Sequence, residues 1–141
     1  MRMSALCLLL SACDDPLYGV PLGEQAAVEE PNYEEHIRPF FERSCGAGCH
    51  SSGSASGGLD LDQGYEALLN AQAQGAPLQA LVVPDDPDSS YLWLKVQGRQ
   101  SEVQGSGSAM PLGVALSSSD EDTLYNWITT GAPETGAQEL E

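Results

Sequence analysis

Positively charged side chains are scarce in this chain of 141 residues. Five Lys and Arg residues stand against 21 Asp and Glu residues, which gives a formal net charge of −16. Such a surface repels phosphate, so nucleic-acid binding is excluded as a function, and anionic lipid headgroups are unsuitable partners for the same reason. The charge suits a partner protein with a basic docking face. The alternative interpretation is that it only keeps the protein soluble.

Clear strand patterns are also missing. No segment shows a convincing alternation of apolar and polar residues, and no internal repeat is present. The 15 glycines and 9 prolines favour short helices joined by long loops, so the predicted class is mainly α. A small domain with so little regular structure buries limited apolar area, and a prosthetic group at its centre would add stability.

The start of the chain has the features of an export signal. Arg2 supplies a positive charge, and the apolar run at residues 5–10 is far too short to span a bilayer as a helix. The following Leu-Ser-Ala-Cys stretch, which ends at Cys13, resembles the lipobox of bacterial lipoproteins. An ordinary secretory signal with a chance cysteine is the alternative. In both cases the chain is exported to an oxidising compartment.

The chain therefore divides into four predicted parts. Residues 1–12 are a lipoprotein signal peptide, and Cys13 is the lipidation site. Residues 13–32 form a flexible acidic tether, residues 33–134 the folded domain and residues 135–141 a C-terminal tail. This organisation predicts a protein of the cell envelope that is attached to a membrane through lipid alone and faces the periplasm.

Apolar spacing predicts two helices in the first half of the domain. The first covers roughly Tyr33 to Ser44, and Pro39 within it means that the helix either starts near Arg38 or bends. The second runs from about Gln63 to Asn70 with Asp62 as its N-cap. Both helices are short and amphipathic.

Two further helices are indicated by their N-terminal residues. Asp86 is a suitable N-cap, and Pro87 follows it at the first helical position. Ser117 with Asp120 forms a near capping box for the last helix, which ends before Gly131. The domain is thus expected to contain about four short helices.

The residues with the clearest chemistry follow the first helix directly. They read Cys45-Gly46-Ala47-Gly48-Cys49-His50. In the haem-attachment motif Cys-x-x-Cys-His, two thiols add to the two vinyl groups of haem and the histidine binds the iron. Three residues instead of two separate the cysteines here, and the two glycines can absorb the additional residue.

Three other interpretations of these residues stay open. In an exported protein, Cys45 and Cys49 can form a disulfide. Together with His50 and a fourth ligand such as His36, they can form a zinc site. A catalytic cysteine pair is the least favoured interpretation, because the compartment is oxidising and no helper base other than His50 is evident.

One methionine is a candidate for the second axial ligand that electron-transfer haems usually have. After removal of the predicted signal, Met110 is the only methionine left, and its loop is rich in Gly and Ser. Core packing explains such a residue poorly, whereas a thioether ligand to iron would raise the reduction potential. The alternative ligands are His36 and Lys95, and His36 better fits a solvated helical position.

Six short motifs occur along the domain in a fixed order. They are Ile37-Arg38-Pro39-Phe40-Phe41, Gly57-Gly58-Leu59-Asp60-Leu61, Tyr65-Glu66-Ala67-Leu68-Leu69, Val83-Pro84-Asp85-Asp86-Pro87, Met110-Pro111 and Trp127-Ile128-Thr129-Thr130-Gly131-Ala132-Pro133. Together with the cysteine motif, this order resembles class I cytochromes c, especially small domains of planctomycetes and myxobacteria. The likeness covers about residues 33 to 134.

The resemblance implies a small cytochrome c-like fold with long loops around one haem c. It also implies that the first and last helices cross, so that Phe40 or Phe41 meets Trp127 or Leu124. The haem would then lie below this crossing, with its iron between the histidine and the methionine.

The expected function is that of a one-electron carrier. The resemblance implies that Cys45 and Cys49 anchor the haem and that His50 and Met110 bind its iron. No acid–base constellation suggests an enzyme, and redox proteins with a basic docking face are the expected partners. The alternatives are a haem-free exported lipoprotein with a Cys45–Cys49 disulfide, acting as a binding or structural module, and a haem sensor or accessory subunit.

Overall fold

The structure is a computed structural model that describes residues 26–136. The predicted signal peptide, the lipidation site Cys13 and the last residues of the tail lie outside the described residues. Within residues 26–136, no helix combines the length and the hydrophobicity needed to cross a membrane.

Helix α1 consists of three adjoining segments, Tyr33–Ile37, Arg38–Phe41 and Glu42–Gly46. The first and third segments have the wider π-type hydrogen bonding, and Pro39, which has no N–H to donate, lies in the middle segment. The helix therefore starts at Tyr33 despite the proline. It ends two residues later than predicted, so Cys45 lies within it.

The second helix is shorter than predicted. Helix α2 is Tyr65–Asn70, and a separate 3-10 turn, Leu61–Gln63, precedes it. The two are separated by Gly64, whose φ of 87° no helix can contain. The prediction that Asp62 caps α2 is wrong, because its carboxylate accepts a hydrogen bond from the Ser52 N–H at 2.8 Å instead.

The predicted N-caps of the last two helices are present. The Asp86 carboxylate accepts a hydrogen bond from the Ser89 N–H at 3.1 Å and caps a 3-10 turn, Pro87–Ser89, that leads into α3, Tyr91–Val96. Helix α4 is Ser118–Thr129, and the Ser117 hydroxyl accepts a hydrogen bond from the Asp120 N–H. A further 3-10 turn, Gln100–Val103, follows α3.

The mainly helical class is confirmed. Between residues 26 and 136 there is no β-strand, and the only strand-like pairing described is an isolated bridge between Gln72 and Ala80. This bridge closes the loop between α2 and α3. Long loops of this kind account for much of the domain, as the glycine and proline content predicted.

The core lies where α1 and α4 meet. The ring of Tyr33 packs against the indole of Trp127 at a centroid distance of 6.3 Å. Phe40, Phe41 and Leu124 belong to the same buried cluster. The implied packing of the first helix on the last is thus present, with Tyr33 as the aromatic neighbour of Trp127.

The packed domain extends further toward the N-terminus than predicted. The Val28 N–H donates to the Thr123 hydroxyl at 3.1 Å, and the Asn126 amide donates to the Val28 carbonyl at 2.9 Å. Pro31 and Asn32 are buried. The sequence predicts that residues 28–32 belong to the flexible tether, but they form part of the folded domain. The reason is that α4 offers hydrogen-bond partners to Val28.

Burial predicts a large difference between two leucines. Replacing Leu124, which is fully buried in α4, with Ala should lower the free energy of unfolding by about 2–5 kcal/mol, because it leaves a cavity in the core. Leu78 is 94% exposed, and the same replacement there should change it by less than about 0.5 kcal/mol. Urea unfolding measures both values, and equal effects would contradict this description of the core.

Candidate functional site

A cavity of about 430 Å³ opens beside the end of α1. Its walls come from that end of α1, from three loops and from one face of α3. The volume is in the range of cofactor and small-molecule sites. Three of the four residues predicted to hold haem line this cavity, namely Cys45, His50 and Met110. Residues that are 60 positions apart in the chain are therefore brought to one place.

The walls of the cavity carry almost no charge. None of the lining residues is Asp or Glu, although the chain contains 21 of them. Lys95 on α3 is the single charged residue of the lining. Its ammonium donates a hydrogen bond to the Ser106 carbonyl at 2.7 Å, and partial burial lowers its pKa. The interior thus suits a largely apolar ligand.

His50 is held by backbone hydrogen bonds on both sides. Its N–H donates to the Cys45 carbonyl at 3.1 Å, and its carbonyl accepts from the Leu61 N–H at 2.9 Å. The ring atom Nδ1 lies 3.4 Å from the Leu59 carbonyl oxygen. Because a carbonyl oxygen only accepts, Nδ1 can make this contact only as the donor, and in the neutral imidazole Nε2 then keeps a free lone pair. That is the arrangement of a metal-ligating imidazole.

The two cysteines have different environments. Cys45 is half-buried and lines the cavity, and burial raises the pKa of its thiol to about 11, with the nearby Arg43 partly opposing this effect. Cys49 is exposed and does not line the cavity. Both thiols are free, so the structure contains no Cys45–Cys49 disulfide. Gly48 between them has φ of 76°, which supports its predicted role in the wider spacing.

Met110 is anchored to α3 and half-buried. Its N–H donates to the Lys95 carbonyl at 3.0 Å. Its loop is tied to the rest of the domain by the Ser106 N–H, which donates to the Gly75 carbonyl at 3.1 Å, and by the Lys95 ammonium on Ser106. The loop methionine therefore faces a cavity, which explains its position better than core packing does.

Of the two alternative ligands, Lys95 lines the cavity and His36 does not. His36 lies in the first turn of α1, where its Nδ1 accepts a hydrogen bond from the Asn32 N–H at 3.2 Å, and it does not line the cavity. Among the described residues, no group of three or more His, Cys, Asp or Glu side chains is arranged to hold a metal ion. The zinc interpretation, which needed a fourth ligand such as His36 beside the two cysteines and His50, therefore has no geometric support in residues 26–136.

Tyr91 is a site residue that the sequence did not reveal. It lines the cavity and is 4% exposed, and its hydroxyl has no hydrogen-bond partner in the part of the chain that the structure describes. A Cβ on Gly75 would lie 2.8 Å from this hydroxyl, and one on Gly105 would lie 2.7 Å from it. Only glycine fits at these positions, so the glycine-rich loops were the available signal.

Burial of Cys45 predicts an unusual pH dependence of its alkylation. Because the thiolate reacts and the pKa is about 11, the rate with iodoacetamide should rise about tenfold per pH unit between about pH 7 and pH 9. Cys45 and Cys49 lie in the same tryptic peptide, so the alkylation rate of Cys45 is measured in the haem-free Cys49→Ser variant. Mass spectrometry quantifies the alkylated peptide. A rate that levels off below about pH 9 would contradict the burial of the thiol.

One comparison with known proteins found a match to part of the chain. Residues 47–111 match the family model described as planctomycete cytochrome C. The matched region contains Cys49, His50 and Met110 and begins two residues after Cys45. No curated protein and no solved structure matches the chain significantly.

Proposed function

From the premise that this chain carries a cytochrome c-like domain, we propose that the protein is a one-electron carrier with one covalently bound haem. The observation that carries the proposal is the convergence of Cys45, His50 and Met110 on one cavity. A thiol, an imidazole and a thioether at one apolar site are the groups by which proteins attach haem and bind its iron on both sides.

The residues present fit this group. The lining is free of carboxylates, and the cavity is wide enough for a cofactor. Within residues 26–136 the buried Tyr91 hydroxyl has no hydrogen-bond partner, and a polar group on a ligand would satisfy it. The glycines at 75 and 105 let two loops approach this hydroxyl closely. Each of these features would help the protein to hold haem.

The protein would contribute to electron transfer by holding the groups that bind haem in fixed positions. When bound, haem supplies an iron that gains and loses one electron. The Leu59 carbonyl orients the His50 ring and keeps Nε2 available, and the Lys95 carbonyl positions Met110. Cys45 and Cys49 would supply the two sulfurs of attachment. Apolar walls exclude water from the site.

A carrier fits the cavity better than an enzyme does. General acid–base catalysis requires titratable groups aimed at a substrate. The cavity lining contains no carboxylate, and its one lysine is engaged with the Ser106 carbonyl. The titratable groups that remain in the lining, Cys45, His50 and Tyr91, are the ones to which the proposal assigns the holding of haem.

The cellular setting completes the proposal. Lipidation at Cys13 would attach the protein to a membrane of the cell envelope, with the domain facing the periplasm. The residues between Cys13 and Val28 would then act as the tether. Redox proteins with basic groups around their docking site would be the partners, because the chain carries a net charge of −16.

The proposal is tested by expression of the full chain together with a haem-attachment system. The purified protein should show a Soret band, and its intact mass should include a porphyrin. The Cys45→Ala and Cys49→Ala double variant should lose the covalent porphyrin. A colourless wild-type preparation would instead favour the haem-free lipoprotein.

The same preparation tests the role of Met110. The Met110→Ala variant should have a midpoint potential lower by on the order of a tenth of a volt or more, because axial ligands set haem potentials over a range of about 0.8 V. Its reduced form should bind carbon monoxide, whereas the wild type and a Leu112→Ala control should not. Ready binding by the wild type would favour a haem sensor.

Removal of the Tyr91 hydroxyl should have opposite effects on the two forms of the protein. In haem-free protein, Tyr91→Phe removes a buried donor that has no partner among the described residues, so the free energy of unfolding should stay equal or increase by about 1–3 kcal/mol. In haem-bound protein, the same change should remove a hydrogen bond, lower stability and shift the midpoint potential. Urea unfolding and redox titration measure these effects, and a loss of stability in both forms would contradict this role.

A further inference from the structure

Three long segments of this acidic chain carry no Asp, Glu, Lys or Arg. They are residues 44–59, 67–84 and 103–119. Acidic residues stand at five of the six segment ends: Asp60 follows the first segment, Glu66 and Asp85 enclose the second, and Glu102 and Asp120 enclose the third. The remaining end is occupied by Arg43, which precedes the first segment. Charge is therefore excluded from three separate stretches and concentrated between them.

These three segments meet at the mouth of the cavity. A Cβ on Gly58 would lie 3.2 Å from the side chain of Gln74, which shows how closely the first two segments approach. The Ser106 N–H donates to the Gly75 carbonyl and joins the second segment to the third. The exposed residues that also line the cavity all come from these segments, and all are uncharged: Ser56, Gly57, Gly58, Gln72, Gln74 and Ser106.

Exposed apolar side chains also occur in the uncharged segments, close in sequence to residues of the cavity wall. Leu112 is 66% exposed and Val114 is 73% exposed, and they closely follow Met110 and Pro111 of the cavity wall. Leu78, which is 94% exposed, lies three residues after Gly75. Of the four large hydrophobic residues that are exposed in the described part, three thus lie in the uncharged segments. We call the exposed residues of the three segments the neutral rim.

We propose that the neutral rim is the docking surface for a redox-partner protein whose contact patch is apolar and uncharged at its centre and basic at its margin. This inference rests on the proposed function, because electron transfer requires that the partner approach the cavity mouth. Interface centres are depleted of charged residues, and burying the rim avoids the cost of desolvating carboxylates.

The surrounding charge supports the same partner. Acidic residues at the segment boundaries, such as Asp60, Glu66 and Asp85, would attract basic groups on the partner at long range. The contact itself would be made by the rim and its leucines. A second copy of this chain is the less suitable occupant, because two molecules with 16 net negative charges repel each other.

Electrodes coated with monolayers of defined chemistry provide a test with the full-length haem-bound protein. The probes are methyl-terminated, amine-terminated and carboxylate-terminated monolayers, studied at low salt and at about 0.5 M salt, where charges are screened within several ångströms. We expect electron exchange on the methyl surface that persists at high salt. Exchange only on the amine surface, and lost at high salt, would overturn the neutral rim as the contact.

Two charge-matched variants locate the contact. Leu112→Glu adds one negative charge to the neutral rim, and Thr129→Glu adds the same charge at the exposed end of α4, outside the cavity lining. Leu112→Glu should slow exchange on the methyl surface about tenfold or more, because it places an unpaired carboxylate in a dry contact. Thr129→Glu should leave it unchanged. Equal effects of the two variants would overturn the proposal.

Two further measurements separate the remaining outcomes. Sedimentation of the wild type that reveals a dimer, lost in Leu112→Glu, would assign the rim to self-association and overturn the partner assignment. A visible spectrum of each variant shows whether haem is still bound. Failure of the proposed function would appear as a colourless wild type without any electrode response, whereas failure of this inference leaves a coloured, redox-active protein.

Discussion

The carbonyl oxygen of Pro133 joins the two ends of the domain. It accepts a hydrogen bond from the Trp127 indole at 3.0 Å and another from the Tyr33 N–H at 2.9 Å. The first residue of α1 is thereby fixed to the last turn of α4 around a fully buried indole. Arg43 near the other end of α1 pairs with Asp120 at the start of α4. With both ends held, α1 delivers Cys45 to one defined place.

Backbone hydrogen bonds, more than side-chain packing, connect the cavity residues to this frame of helices. His50 and Met110 lie in loops, and each is held by a backbone bond: His50 to the end of α1, and Met110 to the Lys95 carbonyl of α3. Glycine at 75 and 105 permits the close approach of the α2–α3 loop and of the Met110 loop to Tyr91. A small domain with short helices can therefore keep a wide cavity, because its loops are hydrogen-bonded to the helices at several points.

Sequence patterns predicted the features that are local. The caps at Asp86 and Ser117 are present because each depends on a side chain and an N–H three residues later. Non-local features were missed or misassigned. Asp62 bonds to Ser52, ten residues away, and Val28 bonds to α4, so neither contact has a signal in its own neighbourhood. Tyr91 was missed as well, because neither composition nor periodicity shows that a hydroxyl lacks a partner.

The distribution of charge connects the interior of the site with its surface. A carboxylate near a haem iron would stabilise the more positive oxidised form and lower the reduction potential, an effect opposite to that of a thioether ligand. Its absence from the cavity lining is therefore consistent with Met110 as a ligand. The same exclusion extends outward along residues 103–119, far beyond the residues that touch the cavity. The reduction potential of a bound iron would not require a neutral surface at Leu112 and Val114, whereas the proposed contact with a partner would.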